Sequence, residues 1–210
     1  MKDCIKVFTN PYIFSSNVYV INFKWSVIII DPWFYDWEFF EYVKSLWKVD
    51  AVLLTHWHWD HIREIDSIKD DYPDAKVYIH KDDVEMLTNT GLNCSLLVWA
   101  KDIVIKSEIN QLEEWDLKIW DIQIKVIHVP GHTYWWVMYY FECLNSLSLW
   151  DTVMWESIWT LSTPTWNENL MRESLNKFKN LHLPLDTNCY PGHWDIESYW
   201  DILRYNPFLN

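Results

Sequence analysis

The stretch Thr55-His56-Trp57-His58-Trp59-Asp60-His61 places three imidazoles and one carboxylate within six residues, directly after a short apolar segment. His56 and His58 are two residues apart, so in an extended segment their side chains point the same way and can converge on one metal ion. Asp60 and His61 follow where we expect the chain to turn into a helix, and adjacent helical residues diverge enough to face a second ion. The run therefore predicts that one short peptide serves two neighbouring metals.

Each residue of this run has an ordinary explanation when it is taken alone. A lone surface histidine is usually only a polar side chain, and an aspartate before a helix is usually an N-cap. As a set, the four residues have no such explanation, because clustering them costs desolvation and mutual repulsion that a metal would offset. The metal-binding interpretation is therefore favoured.

Two Pro-Gly-His turns, at 130–132 and 191–193, each follow strand-like residues and present an imidazole at the end of a strand. Between them, the alternating segment 146–150 ends at an aspartate. Pro-Gly is an ordinary turn dipeptide, so each signal alone is weak. Together with the first run they complete a set of seven candidate metal ligands: His56, His58, Asp60, His61, His132, Asp151 and His193.

In the order of these motifs the chain resembles the metallo-β-lactamase-fold hydrolases, and within them the glyoxalase II-like branch. The resemblance spans nearly the whole length, from a strand that ends in Asp31-Pro32 to the closing segment Tyr205-Asn206-Pro207-Phe208. It implies the α/β (α+β) class and a four-layer αββα sandwich, built as a single domain over residues 1–210. The ligands would lie on loops along one edge of the paired sheets.

The resemblance also implies how the ligands are shared. One metal would be bound by His56, His58 and His132, the other by Asp60, His61 and His193, with Asp151 bridging both. A pair of cations about 3.5–4 Å apart needs such a negatively charged bridge. We expect two divalent ions, zinc first, although the ligand types suit iron or manganese as well. Asp31 either orients a ligand by hydrogen bonding or only ends its strand before Pro32.

The reaction predicted from this arrangement is hydrolysis by a hydroxide that bridges the two metals. Two Lewis-acidic ions lower the pKa of a shared water to about 7, and the hydroxide would attack the acyl carbonyl of a thioester or a small activated ester. Asp60 and Asp151 are the predicted catalytic residues, with Asp60 accepting or passing on a proton while it remains a ligand.

Two other functions stay open. A mononuclear iron persulfide dioxygenase would need only His56, His132 and Asp151, and a metal-binding protein without catalytic activity would use the ions for stability alone. Glutathione recognition is disfavoured, because similar enzymes place a basic residue shortly after the Asp-Thr segment and residues 156–162 contain none. The chain also ends at residue 210, which is short for the added helical domain that binds glutathione in the longer enzymes.

Charge, cysteine spacing and hydropathy limit the partners and the cellular location that we expect. A formal net charge of −13 argues against a nucleic-acid partner, since Lys and Arg supply most of that affinity. The four cysteines show no spacing typical of disulfides or thiolate zinc sites, and we expect buried free thiols. No signal peptide and no run of about 18 apolar residues is present, so we expect a soluble cytoplasmic protein with a small-molecule substrate and no membrane partner. The oligomeric state is not predicted.

The balance of tryptophan and glycine is anomalous, with 17 Trp and only 3 Gly. Trp33, Trp135, Trp136, Trp150 and Trp194 occupy positions where similar proteins commonly carry glycine. A left-handed backbone at such a position would be strained by a side chain. An aromatic stacking platform for sugars or nucleobases is the alternative, but the tryptophans share no periodicity that would support it.

Hydrophobic periodicity and turn residues predict the order of the elements. Strands are expected near 4–8, 17–23, 26–30, 51–54 and 76–79, and later near 117–128, 135–142, 146–150 and up to 190. Helices are expected near 60–71, 81–88, 167–180 and 195–205.

Overall fold

A computed structural model describes residues 4–9, 16–34, 36–96, 102–113, 116–158 and 164–210. The chain clusters into two compact units. The N-terminal unit runs to Glu113 and also takes in Ile119–Asp121, and the C-terminal unit comprises Glu114–Lys118 and Ile122–Asn210. The organisation of residues 1–210 as a single domain stays a prediction.

The N-terminal unit is built on a mixed six-stranded sheet in the order β1-β2-β3-β4-β5-β6. The first three strands pair antiparallel, and β3 to β6 run parallel. The strands are β1 Ile5–Thr9, β2 Asn17–Phe23, β3 Ser26–Ile30, β4 Ala51–Leu53, β5 Lys76–His80 and β6 Ile109–Leu112. The helices are α1 Trp37–Ser45, α2 Trp59–Ile62 and α3 Ile65–Asp71, followed by a 3-10 helix at Lys81–Thr88.

The central strands of this sheet are continuous apolar runs. Every residue of β3 and β4 is buried, which is the pattern expected of parallel strands covered on both faces. Helix α1 begins where the Asp36 side chain accepts a hydrogen bond from the backbone N–H of Phe39 at 2.9 Å. Phe39 and Val43, four residues apart, then lie on its buried face. Local capping and periodicity together account for this helix.

The C-terminal unit contains the second mixed sheet, in the order β12-β11-β10-β9-β8-β7. Strands β8, β9 and β10 pair antiparallel, β10 and β11 pair parallel, and β12 is an antiparallel edge. The strands are β7 Asp116–Ile119, β8 Ile122–His128, β9 Val137–Phe141, β10 Ser146–Ser148, β11 Asn188–Tyr190 and β12 Glu197–Ser198. The helices are α4 Glu168–Lys179 and α5 Tyr199–Tyr205, with 3-10 turns at Glu142–Leu144 and Trp150–Thr152.

Most predicted elements are present, with differences that have local causes. The helix expected over 60–71 is interrupted at Arg63 and Glu64, so α2 is a single turn. The strand expected over 117–128 is a hairpin whose two-residue turn is Trp120-Asp121. The segment 81–88 is a 3-10 helix rather than an α-helix, and the last helix begins at Tyr199 because Ser198 caps it there. Helix α1 and strands β6 and β12 were not predicted.

Several tryptophans have a left-handed backbone. Trp150 and Trp194, two of the positions expected to suit glycine, have φ of 43° and 71°. Trp33, Trp135 and Trp136 do not have positive φ, so the condition for left-handed strain is not met there. Two further cases, Trp47 with φ of 64° and Trp120 with φ of 51°, were not expected. Each left-handed residue other than glycine costs about 1–2 kcal/mol.

The four cysteines are free thiols. Cys94 and Cys189 are buried as expected, and burial raises the pKa of the Cys94 thiol to about 11. The expectation is wrong for Cys143, which is exposed beside the turn that follows β9, and Cys4 is half-buried. Among the described residues, no helix combines the length and apolar character needed to cross a membrane.

Asn206 ties the last turn of the chain to the loop that follows Asp151. It is fully buried. Its side-chain amide donates to the carbonyl oxygens of Met154 at 2.6 Å and Ser157 at 2.8 Å, and its side-chain oxygen accepts from the backbone N–H of Phe208 at 2.8 Å. One side chain thus satisfies three backbone groups.

We expect Asn206→Ala to lower the free energy of unfolding by about 2–3 kcal/mol, because it leaves buried backbone groups without partners. Urea denaturation measures the change. The matched control is Asn210→Ala, whose amide makes its contacts at the exposed chain end and which should stay within about 0.5 kcal/mol of the parent. Equal effects of the two substitutions would contradict this role of Asn206.

Candidate metal centre

Four predicted ligands of the N-terminal unit come together in one cluster, which we call the N-terminal ligand cluster: His56, His58, Asp60 and His61. The chain stays extended after β4, and His58 is the N-cap of α2 with φ of −65° and ψ of 149°. His56 and His58 therefore project to the same side, and His56 Nε2 lies 2.9 Å from His58 Nδ1. The two imidazoles are thus close together, and their convergence on one ion stays a prediction.

Asp60 and His61 extend this cluster from the first turn of α2. His61 Nε2 lies 3.7 Å from a carboxylate oxygen of Asp60. The ring centroid of His61 is 4.0 Å from that of His56, so the two predicted ligand pairs are in contact. His56 and His61 are fully buried, whereas Asp60 is half-buried and provides the most solvent-accessible ligand of the cluster.

The Asp31 carboxylate is hydrogen-bonded to residues of the N-terminal ligand cluster and its neighbour Thr55. It follows β3 with φ of 49°, and its carboxylate is fully buried. Because β3 and β4 are parallel neighbours, residues that follow them meet at the same sheet edge. Asp31 accepts hydrogen bonds from the backbone N–H of Thr55 at 2.8 Å, from the Thr55 hydroxyl at 2.5 Å and from His61 Nδ1 at 3.0 Å. Of its two possible roles, the structure supports orientation of a ligand.

These hydrogen bonds select the tautomers of two histidines. His61 donates through Nδ1 to Asp31, which leaves the lone pair on Nε2. The Thr55 hydroxyl donates to Asp31 and therefore accepts from His56 Nδ1 at 3.0 Å. His56 Nε2 then also carries a lone pair. Both imidazoles are prepared to bind a metal through Nε2.

Burial raises the pKa of the Asp31 carboxyl, and the hydrogen bonds from His61 and Thr55 oppose that shift. The carboxylate form fits the observed contacts, because all three neighbours can donate to it. A buried carboxylate in contact with an imidazole also makes the histidine a stronger electron donor.

The other three predicted ligands form a second group in the C-terminal unit, which we call the C-terminal ligand cluster: His132, Asp151 and His193. All three side chains are buried. Asp151 follows β10 and His193 follows β11, and these strands are parallel neighbours. The backbone N–H of Leu149 donates to the Tyr190 carbonyl at 2.8 Å and extends this pairing past the strand ends. The adjacency of β10 and β11 thus brings Asp151 and His193 together.

Asp151 lies between the two histidines of its cluster. One carboxylate oxygen, Oδ2, is 4.0 Å from His132 Nε2. The other, Oδ1, is 3.5 Å from His193 Nε2. Each oxygen of a single carboxylate therefore faces a different imidazole.

Two glycines that directly precede ligands of this cluster have no room for a side chain. Gly131 has φ of +144°, and a Cβ there would lie 2.5 Å from the backbone of Met171 in α4. A Cβ at Gly192 would lie 2.5 Å from Asp151 Oδ1. The position of the Asp151 carboxylate therefore depends on the absence of a side chain at residue 192, beyond the end of the neighbouring strand.

The donor sets of both clusters fit divalent metal ions. Two donors on one tetrahedral zinc, at about 2.0–2.2 Å each, stand about 3.3–3.5 Å apart. The measured separations of neighbouring donors are 2.9 and 3.7 Å in the N-terminal ligand cluster and 3.5 and 4.0 Å in the C-terminal one. Movements of a few tenths of an ångström would bring each pair to coordination distance. Imidazole with carboxylate suits zinc, iron and manganese alike.

All seven predicted ligands thus fall into these two clusters, and the assignment of each to a particular ion stays a prediction. Sequence reasoning missed the hydroxyl of Thr55 and the role of Gly192. Thr55 adjoins the histidine run, but its contact with Asp31 follows from strand pairing. Gly192 could have been noticed as one of only three glycines in the chain.

A family model and the relatives with similar sequences agree on one family. The model of a family described as "Metallo-beta-lactamase superfamily" matches residues 11–142. The chain is 26% identical over 197 residues to "Probable metallo-hydrolase YqgX" of Bacillus subtilis (strain 168), covering 93% of this chain and 92% of that protein. It is 29% identical over 185 residues to the hydroxyacylglutathione hydrolase of Francisella tularensis subsp. holarctica, covering 87% of this chain and 62% of that enzyme.

Solved structures also have a similar fold. The crystal structure of BLEG-1 B3 metallo-beta-lactamase matches with a TM-score of 0.87 and 27% identity, covering 98% of this chain and 99% of that one. The structure of TTHA1623 in a di-iron-bound form matches with a TM-score of 0.82 and 23% identity, covering 97% and 100%. The predicted fold class, two mixed sheets with helices, is confirmed.

We expect Asp31→Asn to weaken metal binding about 10–100-fold, because the amide presents a donor where Thr55 or His61 needs an acceptor. Competition with a chromophoric chelator measures the affinity, and circular dichroism checks that the variant is folded. Asp66→Asn is the matched control, since Asp66 also accepts backbone N–H groups, from Lys106 and Ser107. A folded Asp31→Asn variant with parental affinity would show that Asp31 is not needed for orientation.

A methyl group at position 192 should displace the Asp151 carboxylate. We expect Gly192→Ala to lower metal affinity at least about tenfold, since the new Cβ overlaps Asp151 Oδ1. Gly91→Ala is the control, because a Cβ at Gly91 has only an ordinary contact at 3.5 Å. Isothermal titration of both variants with zinc makes the comparison. Equal affinities would mean that Asp151 does not contribute to binding.

Proposed function

This chain belongs to the metallo-beta-lactamase superfamily of metallo-hydrolases, and we propose that it cleaves a thioester or a small activated ester with two divalent metal ions. The proposal joins the two ligand clusters into one centre. His56, His58 and His132 would hold one ion, and Asp60, His61 and His193 would hold the other. Asp151 would be shared by both.

The position of Asp151 is the observation that carries the two-metal proposal. Its two carboxylate oxygens face His132 and His193 separately, at 4.0 and 3.5 Å. A carboxylate that served one ion would present both oxygens, or one oxygen, to the same set of imidazoles. A carboxylate divided between two imidazoles suits a bridge, which a pair of close cations requires.

The ions, when bound, supply Lewis acidity toward water and toward the carbonyl oxygen of the substrate. The side chains of the protein do the rest. Asp31 and Thr55 hold His56 and His61 in the tautomers that present Nε2. Asp60 is the half-buried member of its cluster, so its carboxylate oxygen is the group that accepts the proton of the attacking water and passes it to solvent.

The substrate class is supported by the relatives. Hydroxyacylglutathione hydrolase, at 29% identity, is named for cleavage of a glutathione thioester, and this chain spans 62% of its length. The segment 156–162, where similar enzymes carry a basic residue, has none, and its residues 159–162 lie outside the described ones. We therefore propose a thioester whose thiol part is smaller than glutathione or carries fewer carboxylate groups.

A β-lactam is the second candidate substrate. BLEG-1, described as a B3 metallo-beta-lactamase, is 27% identical over nearly the full length of both chains. A strained lactam amide and a thioester are both activated acyl groups, and hydrolysis of either uses the same attack on a carbonyl. Separate assays of thioester hydrolysis and β-lactam hydrolysis distinguish the two substrates.

The experiment compares the metal-loaded protein with protein dialysed against a strong chelator. We expect hydrolysis of acyl thioesters by the loaded protein, loss of turnover on dialysis and recovery on addition of divalent metal. Nitrocefin hydrolysis without thioester hydrolysis would assign the second candidate. Oxygen consumption with glutathione persulfide, at one iron per chain, would instead identify a dioxygenase. Full activity in a verified metal-free sample would contradict the proposal.

Asp151→Ala tests the bridge in the same assay. We expect the variant to retain at most one ion per chain and to lose turnover by on the order of 100-fold or more, since a shared ligand is removed. Asp186→Ala, at an exposed carboxylate of the same unit, should keep two ions and parental turnover. Two retained ions in Asp151→Ala would disprove the bridging role.

A further inference from the structure

Among the described residues, four tryptophans have a left-handed backbone: Trp47, Trp120, Trp150 and Trp194, with φ between 43° and 71°. This is the conformation that glycine adopts without cost and that bulky side chains avoid. Among the described residues no tyrosine and no phenylalanine has positive φ, although the chain contains 12 Tyr and 9 Phe. Tryptophan is thus the most frequent residue with positive φ in the described part of the chain; the other non-glycine cases are Lys24, Asp31, Cys94, Asn145 and His182, one of each type.

Trp47 occupies the position at which helices most often end in glycine. Helix α1 ends at Ser45, Leu46 is the C-cap, and Trp47 follows with φ of 64°. Its backbone N–H donates to the carbonyl of Lys44 at 3.2 Å. A left-handed residue after the C-cap is the standard helix stop, and glycine is its usual occupant. The Trp47 side chain is 90% exposed, so contacts do not explain its presence.

Trp120 occupies a position in a hairpin turn that is usually held by glycine. Strands β7 and β8 are joined by the two-residue turn Trp120-Asp121, and only the first of these residues has positive φ. That combination is typical of a type II′ turn, which carries glycine at its first central position. The Trp120 side chain is 65% exposed.

The other two positions flank proposed metal ligands. Trp150 precedes Asp151 with φ of 43°, and Trp194 follows His193 with φ of 71°. Only 3 residues of the chain are glycine, and of these only Gly131 has positive φ. Of the nine described non-glycine residues with positive φ, four are thus tryptophan.

We infer that positions 47, 120, 150 and 194 are glycine in the protein as its own organism makes it. The codon UGA is read as tryptophan in some genetic codes and as glycine in others, so one reassigned codon would exchange the two residues throughout a chain. The four backbone conformations then have one cause, which also accounts for part of the excess of tryptophan and part of the shortage of glycine. The inference does not depend on the proposed function.

Peptide sequencing by mass spectrometry tests this directly on protein isolated from the organism that carries the gene. Peptides that span the four positions should contain glycine at each of them. Tryptophan in these peptides overturns the inference. Peptides that contain the phenylalanines and tyrosines serve as the internal control, since these residues should be unchanged.

A second test uses recombinant protein with tryptophan at the four positions as the parent. The variant with glycine at all four positions is compared with the variant that has alanine at all four, so that loss of the indoles is the same in both. Glycine should give the higher Tm, by about 2–4 °C per position. At Trp37, which is exposed and helical, the order should reverse and alanine should be favoured. A glycine variant that melts at or below its alanine counterpart overturns the inference.

Discussion

The Asp151 carboxylate is buried between the imidazoles of His132 and His193, and the proposed metal centre depends on its position. A buried charge without compensation is costly, and a cation on each side of it is the compensation that these neighbours can hold. Gly192 is required because a side chain there would occupy the space of one carboxylate oxygen. Asn206 holds the following loop through Met154 and Ser157.

In each unit, a pair of neighbouring parallel strands brings the candidate ligands close together. In the N-terminal unit the neighbours β3 and β4 bring Asp31 to Thr55 and the histidine run, and in the C-terminal unit β10 and β11 bring Asp151 to His193. The carboxyl ends of parallel strands meet at one sheet edge, so polar residues that follow two such strands become neighbours. The buried sheets supply the rigidity and the loops beyond them supply the chemistry.

The seven candidate ligands could be selected from the sequence because their signals are local: spacing by two in His56 and His58, and a histidine after each Pro-Gly turn. That they bind metal stays a prediction. Strands β2, β3 and β5 were predictable from their apolar runs. The contact of Asp31 with His61, which spans 30 residues, was left open because strand pairing is not encoded in any one segment. Helix α1 was missed although Asp36 caps it, and the break at Arg63 was missed because apolar periodicity continues across it.

We propose that residues distant in the sequence enclose two cations, with Asp151 between them. Anomalous diffraction from crystals of the metal-loaded protein, collected at the absorption edge of the bound metal, tests it most directly. We expect two anomalous peaks about 3.5–4 Å apart, each within coordination distance of one oxygen of Asp151. A single peak, or two peaks that do not both contact Asp151, would contradict it.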